Sequence, residues 1–321
     1  MLQQTQAATV IPRYIKWMER FPTITELADA DLEEALRYWQ GLGYYSRARR
    51  LHETARMVRD HYHGRLPDDL KTLQQLPGIG IYTAGAVSSI AFEREAPALD
   101  VNATRVISRY GALAPPIHTA DLHAIWTGWS QNTSARDYCE ALIELGATVC
   151  TATQPRCAEC PIRRWCRGAA TGSPEVYTPR PETPRTVDRI YVCLVAQVPY
   201  GVAVRRRDPD GIWGDLWTFP ETLVESAEEP EKAARRLARS LGAVMLTDLD
   251  YLSSLRYRVT RYRITLHAYQ LQWTSAPKCE KDVESYVIRS WRDVMELPMP
   301  SPHARLRSLV SPPPASVYIE G

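Results

Sequence analysis

The stretch Leu76-Pro77-Gly78-Ile79-Gly80 lies between two segments of helical pattern and decides how the first part of the chain folds. Its two glycines permit a tight hairpin with close backbone approach. The next helix begins there, so its first backbone N–H groups have no partner within the helix. Such a helix start binds anions without a charged side chain, so we predict that Gly78 and Gly80 contact a phosphate. The pattern by itself is also typical of a plain turn.

Helical patterns continue on both sides of this hairpin, and the pattern changes after residue 170. Residues 171–187 hold four prolines, which predict a linker. We therefore predict a helical domain over 1–170 and an α+β domain over 188–310. The predicted helices are 31–39, 48–58, 83–92, 101–110, 138–149 and 228–241, and the predicted strands are 189–198, 201–205 and 262–273.

Composition limits the possible function classes. The 321 residues are 45% hydrophobic and 24% charged, which excludes a disordered or collagen-like chain. No apolar run approaches the roughly 20 residues that cross a membrane, and no secretory signal starts the chain, so we expect a cytoplasmic protein without membrane partners. The formal charge is only +2, so any surface for nucleic acid must be local.

Four cysteines are crowded into one short segment with the spacing Cys150-x6-Cys157-x2-Cys160-x5-Cys166. In a cytoplasmic chain this crowding favours a metal centre over two disulfides or a redox pair with bystanders. The wide gaps suit a [4Fe–4S] cluster, but spacing leaves zinc open. Arginines flank the ligands and either offer contacts to phosphate or form a solvated surface; they are Arg156, Arg163, Arg164 and Arg167.

Taken together, the hairpin, an Asp about 20 residues after it and the cysteine loop resemble the helix-hairpin-helix DNA glycosylase superfamily. Within it, the chain is most similar to the adenine DNA glycosylases (the MutY family). The motifs that carry this resemblance are Met1–Gln6, Gly41–Arg49, Leu76–Ala86, Asp100–Val106 and, more loosely, Trp213–Pro220.

The resemblance implies a fold and an activity. The fold is a helical glycosylase domain with a [4Fe–4S] loop, followed by a Nudix-like α+β domain that reads 8-oxoguanine. The family removes adenine mispaired with 8-oxoguanine or guanine in double-stranded DNA and leaves an abasic site for base excision repair. We accordingly expect a monomer that works on the nucleoid.

Asp100 matches the family's catalytic carboxylate, which stabilises the cation-like sugar while the base departs. The alternative is an ordinary N-cap of the helix that follows, and the two roles are compatible. Asn102 and Arg105 match positions that orient this Asp. Tyr82 stands where strand-cleaving relatives carry a lysine that forms a Schiff base, which predicts a monofunctional enzyme. The chain has few lysines to replace it: Lys16, Lys71, Lys232, Lys278 and Lys281.

Other matched positions are implied to contact the substrate. Gln4, Thr5 and Tyr44 match residues that wedge into the duplex or contact the oxidised guanine. Glu140 matches a residue of the pocket for the flipped adenine; the alternative is a solvated helical acid. Thr260 aligns with the serine of the family's Phe-Ser-His reader, although the surrounding match is poor.

The family's Glu that protonates the departing adenine lies two residues before the position matched by Met1. We therefore expect a chain that is N-terminally truncated relative to the family and that excises adenine extremely slowly. Either the start codon is misassigned, or the chain is a degenerate homologue that binds without cutting. The intact order of the downstream motifs favours the first explanation.

Three rival functions are left. One is a glycosylase of the same fold that removes thymine opposite guanine, against which Glu140 and the second domain argue. Another is a non-catalytic mismatch-binding protein, and the third is a structural zinc protein. Nudix pyrophosphate hydrolysis is not expected, because residues 228–241 lack the acidic metal-binding pattern.

Overall fold

The computed structural model describes residues 1–130, 133–179, 185–198, 200–242, 249–272 and 286–310. The chain divides into two compact units, Met1–Arg56 with Pro184–Gly321 and Met57–Thr183. Part of the predicted linker, 180–184, lies outside the described residues, and the domain boundaries at 170 and 188 stay a prediction. No helix in the described ranges is long and apolar enough to cross a membrane.

The first unit begins with helices that share an aromatic core. They are α1 (Ala7–Arg20), α2 (Ile24–Asp29), α3 (Leu32–Trp39) and the first part of α4 (Ser46–Tyr62). Trp17 packs at the centre, with its ring centroid 4.9 Å from that of Phe21 and 5.6 Å from that of Trp39. The helices predicted at 31–39 and 48–58 are confirmed, whereas α1 was not predicted because a proline interrupts its pattern.

The second unit is helical throughout its described part. After α4 come α5 (Leu70–Leu73), α6 (Ile81–Phe92), α7 (Val101–Gly111), α8 (Thr119–Ser130), α9 (Ala135–Thr148) and the short α10 (Arg167–Ala170). Apolar side chains of α7, α8 and α9 form its core, among them Val106, Trp126 and Leu142. The helices predicted at 83–92, 101–110 and 138–149 are confirmed within a few residues at each end.

A seven-stranded mixed sheet forms the rest of the first unit, with the order β3-β2-β1-β6-β5; β4 pairs with β1 and β7 with β2. β1 and β6 run parallel with Leu194 opposite Tyr269, and the other pairs are antiparallel. The strands are β1 (Val187–Val198), β2 (Gly201–Arg206), β3 (Trp217–Thr218), β4 (Glu221–Leu223), β5 (Leu249–Val259), β6 (Tyr262–Gln272) and β7 (Val287–Arg289).

Helices cover both faces of this sheet. α11 (Pro230–Ser240) packs on one face, and α12 (Trp291–Glu296) and α13 (Ser301–Leu309) pack on the other. The second face buries an ionic group. Nε2 of the buried His303 lies 3.1 Å from Glu221, Arg207 also pairs with this carboxylate, and the His303 Nδ1 accepts from the Phe219 backbone N–H at 3.2 Å. The predicted strands and the helix at 228–241 are confirmed, and β5 was not predicted.

Candidate active site and metal centre

The hairpin between α5 and α6 adopts the backbone that its glycines permit. Gly78 has a φ of 75°, which a residue with a side chain rarely adopts, and the Ile79 N–H donates to the Leu76 carbonyl at 3.1 Å. Gly80 is the N-cap of α6, and no side chain caps this helix. The first-turn N–H groups of α6 therefore have no side-chain acceptor, and Ile81 beside them is 74% exposed.

Asp100 stands at the start of α7 as its N-cap. Its Oδ1 accepts a hydrogen bond from the Ala103 backbone N–H at 2.6 Å, and the side chain is half-buried. The capping alternative is thus present in the structure. The carboxylate therefore sits at the positive end of the α7 dipole.

Two further groups lie within electrostatic reach of Asp100. Burial raises the pKa of Tyr82 on α6, and the negative charge of Asp100 raises it further. Burial also raises the pKa of the Cys139 thiol to about 11, with Glu140 and then Asp100 adding to the shift. Tyr82, Asp100 and Cys139 therefore lie within electrostatic reach of one another, while the Glu140 side chain is exposed on α9.

Asn102 and Arg105 tie the start of α7 to α9 and to the cysteine loop. The buried Arg105 donates to Asn102 Oδ1 at 3.0 Å, to the Gly146 carbonyl at 2.6 Å and to the Cys150 carbonyl at 2.8 Å. A Cβ at Gly146 would lie 2.8 Å from the Asn102 Cβ, so only glycine allows α9 to approach α7 this closely. Asn102 and Arg105 are thus fixed relative to Asp100.

The four predicted metal ligands line one cavity. Cys150, Cys157, Cys160 and Cys166 are free thiols around it, and apolar side chains from α7 and α9 complete the lining. Burial raises the pKa of Cys157 and of Cys160, and the neighbouring sulfurs add to the shift. Within the described residues, no three His, Cys, Asp or Glu side chains converge closely enough for a single metal ion. Four thiols around one cavity are a donor set that fits an iron–sulfur cluster, and the choice between this cluster and zinc stays a prediction.

The predicted residues near Met1 belong to the first unit and form a turn. Gln4 is exposed with a φ of 57°, and the Thr5 hydroxyl donates to the Leu42 carbonyl at 3.2 Å. Arg47 donates to the Met1 carbonyl at 3.1 Å and to Thr5 Oγ1 at 3.3 Å. This bracing was missed because an arginine that binds backbone carbonyls has no sequence signature.

Tyr44 and Thr260 line one cavity of about 540 Å³ in the first unit. Tyr44 is 52% exposed and has a φ of 47°, so the turn presents its ring outward. Thr260 lies in the β5–β6 turn with a φ of 50°. Arg258, Ser301 and Arg305 also line the cavity, which gives it hydroxyl and cationic donors. Sequence reasoning had named only the first two of these five residues.

The comparisons with known proteins agree with this geometry. Residues 1–131 match the HhH-GPD superfamily of base excision DNA repair proteins, and residues 191–309 match the NUDIX domain. The adenine DNA glycosylase of Mus musculus is 35% identical over 328 residues, which cover 86% of this chain and 64% of the mouse protein. The chain belongs to the adenine DNA glycosylase family. The predicted fold class, a helix-hairpin-helix glycosylase followed by a Nudix-like domain, is confirmed.

Other members of the adenine DNA glycosylase family align comparably. The Homo sapiens protein is 36% identical, with 84% of this chain and 59% of that protein covered. The protein of Mycolicibacterium smegmatis is 44% identical over 176 residues, which cover 54% of this chain and 60% of that protein. The chain thus spans about three fifths of the length of these curated relatives.

Proposed function

We propose that this chain is a monofunctional DNA N-glycosylase that hydrolyses the bond between adenine and its sugar where adenine is mispaired with 8-oxoguanine or guanine in duplex DNA. The observation that carries this proposal is the carboxylate of Asp100, half-buried at the start of α7 and close to Tyr82. The proposed partner is double-stranded DNA bound by one copy of the chain.

Asp100 is the proposed electrostatic catalyst. As the bond to adenine breaks, positive charge develops on the sugar, and a fixed carboxylate stabilises it more in the transition state than in the ground state. Asn102, held by Arg105, keeps the start of α7 in place. Tyr82 borders the same space with a neutral hydroxyl, because its pKa is raised by burial and by Asp100.

The remaining predicted residues are proposed to hold the DNA. The uncapped start of α6 at Gly80, after the turn at Gly78, suits a phosphate. The flipped adenine is proposed to meet Glu140, and Gln4 and Thr5 are proposed to support the bases around the opening.

Tyr44 and Thr260 are proposed to read the oxidised guanine from the cavity that they share. An exposed ring offers a stacking surface, and the Thr260 hydroxyl offers a hydrogen bond. The neighbouring Arg258 and Arg305 add positive charge that favours the DNA backbone. Preference for 8-oxoguanine over guanine is therefore assigned to the first unit.

The four cysteines are proposed to hold a [4Fe–4S] cluster. Their free thiols line one cavity, and a positive metal centre would favour the thiolate forms that bind it. When bound, the cluster cross-links the loop and supplies a centre with a defined reduction potential. No proton or bond of the base-release step is assigned to it.

The absence of strand cleavage is part of the proposal. A lysine amine that forms a Schiff base with the sugar needs to reach the reaction site. Tyr82 occupies the position matched to that lysine, and its hydroxyl cannot form a Schiff base. Borohydride should therefore trap no covalent complex with DNA, and trapping at the yield of a strand-cleaving relative would contradict this assignment.

The decisive experiment measures single-turnover base release from A:8-oxoguanine, A:G and T:G duplexes. It uses the 321-residue chain and the same chain preceded by the residues of the mouse relative that come before the start of the match. We expect the extended chain to release adenine fastest from A:8-oxoguanine. Asp100→Asn should lower this rate by roughly 10²- to 10³-fold.

A matched variant separates catalysis from helix capping. Asp69 caps α5 in the same way as Asp100 caps α7, with its carboxylate accepting from the Thr72 N–H at 2.8 Å. Asn is as good an N-cap as Asp, so neither substitution should lower the melting temperature appreciably. Asp69→Asn should also keep the wild-type rate. Release of thymine, or mismatch binding without release in both chains, would support the rival functions instead.

A further inference from the structure

Arg109, near the end of α7, is a buried cation that the proposed reaction does not use. Arg109 is 1% exposed, and its side chain lies among the apolar side chains of α7 and the cysteine loop. No carboxylate in the described ranges forms an ion pair with it, although buried arginines normally need an anion or a full set of acceptors. The feature to be explained is therefore what neutralises this charge.

The guanidinium of Arg109 points into the cysteine loop. Nη1 donates to Cys150 Sγ at 3.3 Å and to the Thr151 carbonyl at 2.7 Å, and Nη2 donates to the Ala152 carbonyl at 2.8 Å. Nε and Nη2 both donate to Thr178 Oγ1, at 3.1 and 2.8 Å. Oxygen atoms accept most of the hydrogen bonds, and the one sulfur acceptor belongs to a predicted metal ligand.

Arg109 also reaches the other end of the cysteine loop. Its backbone carbonyl lies 3.6 Å from Cys166 Sγ, so this single residue contacts the first and the last of the four cysteines. Arg105, one turn earlier, differs, because its guanidinium donates to the Cys150 carbonyl rather than to the sulfur. Both arginines hold the same loop, but Arg109 donates a hydrogen bond to the sulfur of Cys150.

We propose that Arg109 is the buried counter-ion of the iron–sulfur cluster, an inference that rests on the cofactor of the proposed function. A cluster held by four thiolates carries net negative charge, and hydrogen bonds to its sulfurs and nearby positive charge raise its reduction potential. The guanidinium supplies both at Cys150. It acts as a positioning residue for the loop at the same time, because its planar fork binds the carbonyls of Thr151 and Ala152.

Two variants test the charge. Arg109→Gln removes the buried cation, whereas Arg164→Gln removes an exposed cation from the same loop, where solvent screens its charge. The readouts are iron and sulfide per chain, the absorbance at about 400 nm, and the midpoint potential of the DNA-bound protein on a DNA-modified electrode. We expect Arg109→Gln to shift the potential to more negative values and to bleach several-fold faster in peroxide. Arg164→Gln should match the wild type.

A third variant decides the matter if Arg109→Gln does not accumulate as folded protein. Arg109→Lys keeps the charge but has no fork to bind two carbonyls and a sulfur together. We expect it to bleach several-fold faster than the wild type, because the fork is lost, while its potential stays close to the wild-type value, because the charge remains. Bleaching at the wild-type rate would overturn the proposal.

The outcomes also separate this proposal from the one on which it rests. A wild-type chain that contains no iron and sulfide would overturn the assigned cofactor, and the counter-ion role with it. Full cluster content in all variants, with wild-type potential and bleaching rate for Arg109→Gln, would overturn the role of Arg109 alone and leave the cofactor in place.

Discussion

Each of the two units buries charge, and they neutralise it differently. In the first unit, the carboxylate of Glu221 meets Arg207 and His303, so protein groups alone satisfy it. In the second unit, Arg109 is as deeply buried but faces carbonyls, a hydroxyl and a thiol. The difference is that protein groups pair with the buried carboxylate of the first unit, whereas no carboxylate among the described residues pairs with Arg109, as the proposed anionic cluster would require.

Removing the proposed cluster should have the largest effect, and this effect should be confined to the second unit. We expect chelation after oxidation to abolish the hydrogen-exchange protection of the segment from Cys150 to Ala170, because Arg109 and four crowded thiols lose their partner. The β1 and β6 amides of the first unit should keep their protection. No loss in either unit would show that the cysteine loop does not depend on the metal, and equal loss in both would show that the effect is not confined to the second unit.

Substituting Glu221 should have the next largest effect, confined to the first unit. Glu221→Gln leaves Arg207 and His303 without their anion, and we expect the free energy of unfolding to fall by about 3 kcal/mol. The measurement is denaturant unfolding followed by hydrogen exchange in β1. The control is Glu225→Gln, whose exposed carboxylate lies 3.8 Å from Arg236 and should contribute little.

The same variant changes the pH dependence of stability. Burial opposes ionisation of Glu221, but His303 and Arg207 outweigh it and hold its pKa below the ordinary value. The stabilisation is therefore fully present above the pKa of an unfolded glutamate and is lost as the pH falls through the lowered folded pKa. The free energy of unfolding of Glu221→Gln should therefore fall less steeply at acid pH than that of the wild type. An unchanged pH dependence would contradict the lowered pKa of Glu221.

A smaller effect on stability is expected at Thr260, where the backbone is strained and no buried charge is involved. A β-branched residue at a φ of 50° is unfavourable, and Thr260→Gly should raise the free energy of unfolding by about 0.5 kcal/mol. It should also lower the preference for 8-oxoguanine over guanine in competitive binding. Ala227→Gly, at a φ of 64° in another turn, should stabilise similarly without changing this preference.

Sequence reasoning predicted the regular parts of the fold because their signals are local. The helix at 101–110 follows from its spacing, and the structure extends it by one residue. β5 (Leu249–Val259) was missed because a register shift between Tyr251 and Ser253 interrupts it, so its polar–apolar alternation covers only the last residues of the strand. Its partner β6 supplies the pairing that the local pattern lacks.

The candidate site was predictable where a motif carries it and not where distant segments meet. Asp100 and the cysteines stand in motifs, whereas Arg109 lies in an ordinary helical pattern and acquires its acceptors from residues more than 40 positions away. Likewise, Arg258 and Arg305 join the cavity of Tyr44 only through folding. Such contacts are set by tertiary packing, which one sequence does not display.

Because Gly146 has no side chain, this one residue affects both the packing of α9 on α7 and the support of the cysteine loop. Its hydrogen faces the Cβ of Asn102, and its carbonyl accepts from Arg105, which also holds the backbone of Cys150. Adding one methyl group there would push α9 outward and disturb base release and metal retention by the same movement. A genetic screen that scores mutation frequency alone would then class such alleles with catalytic ones, although their first defect is steric.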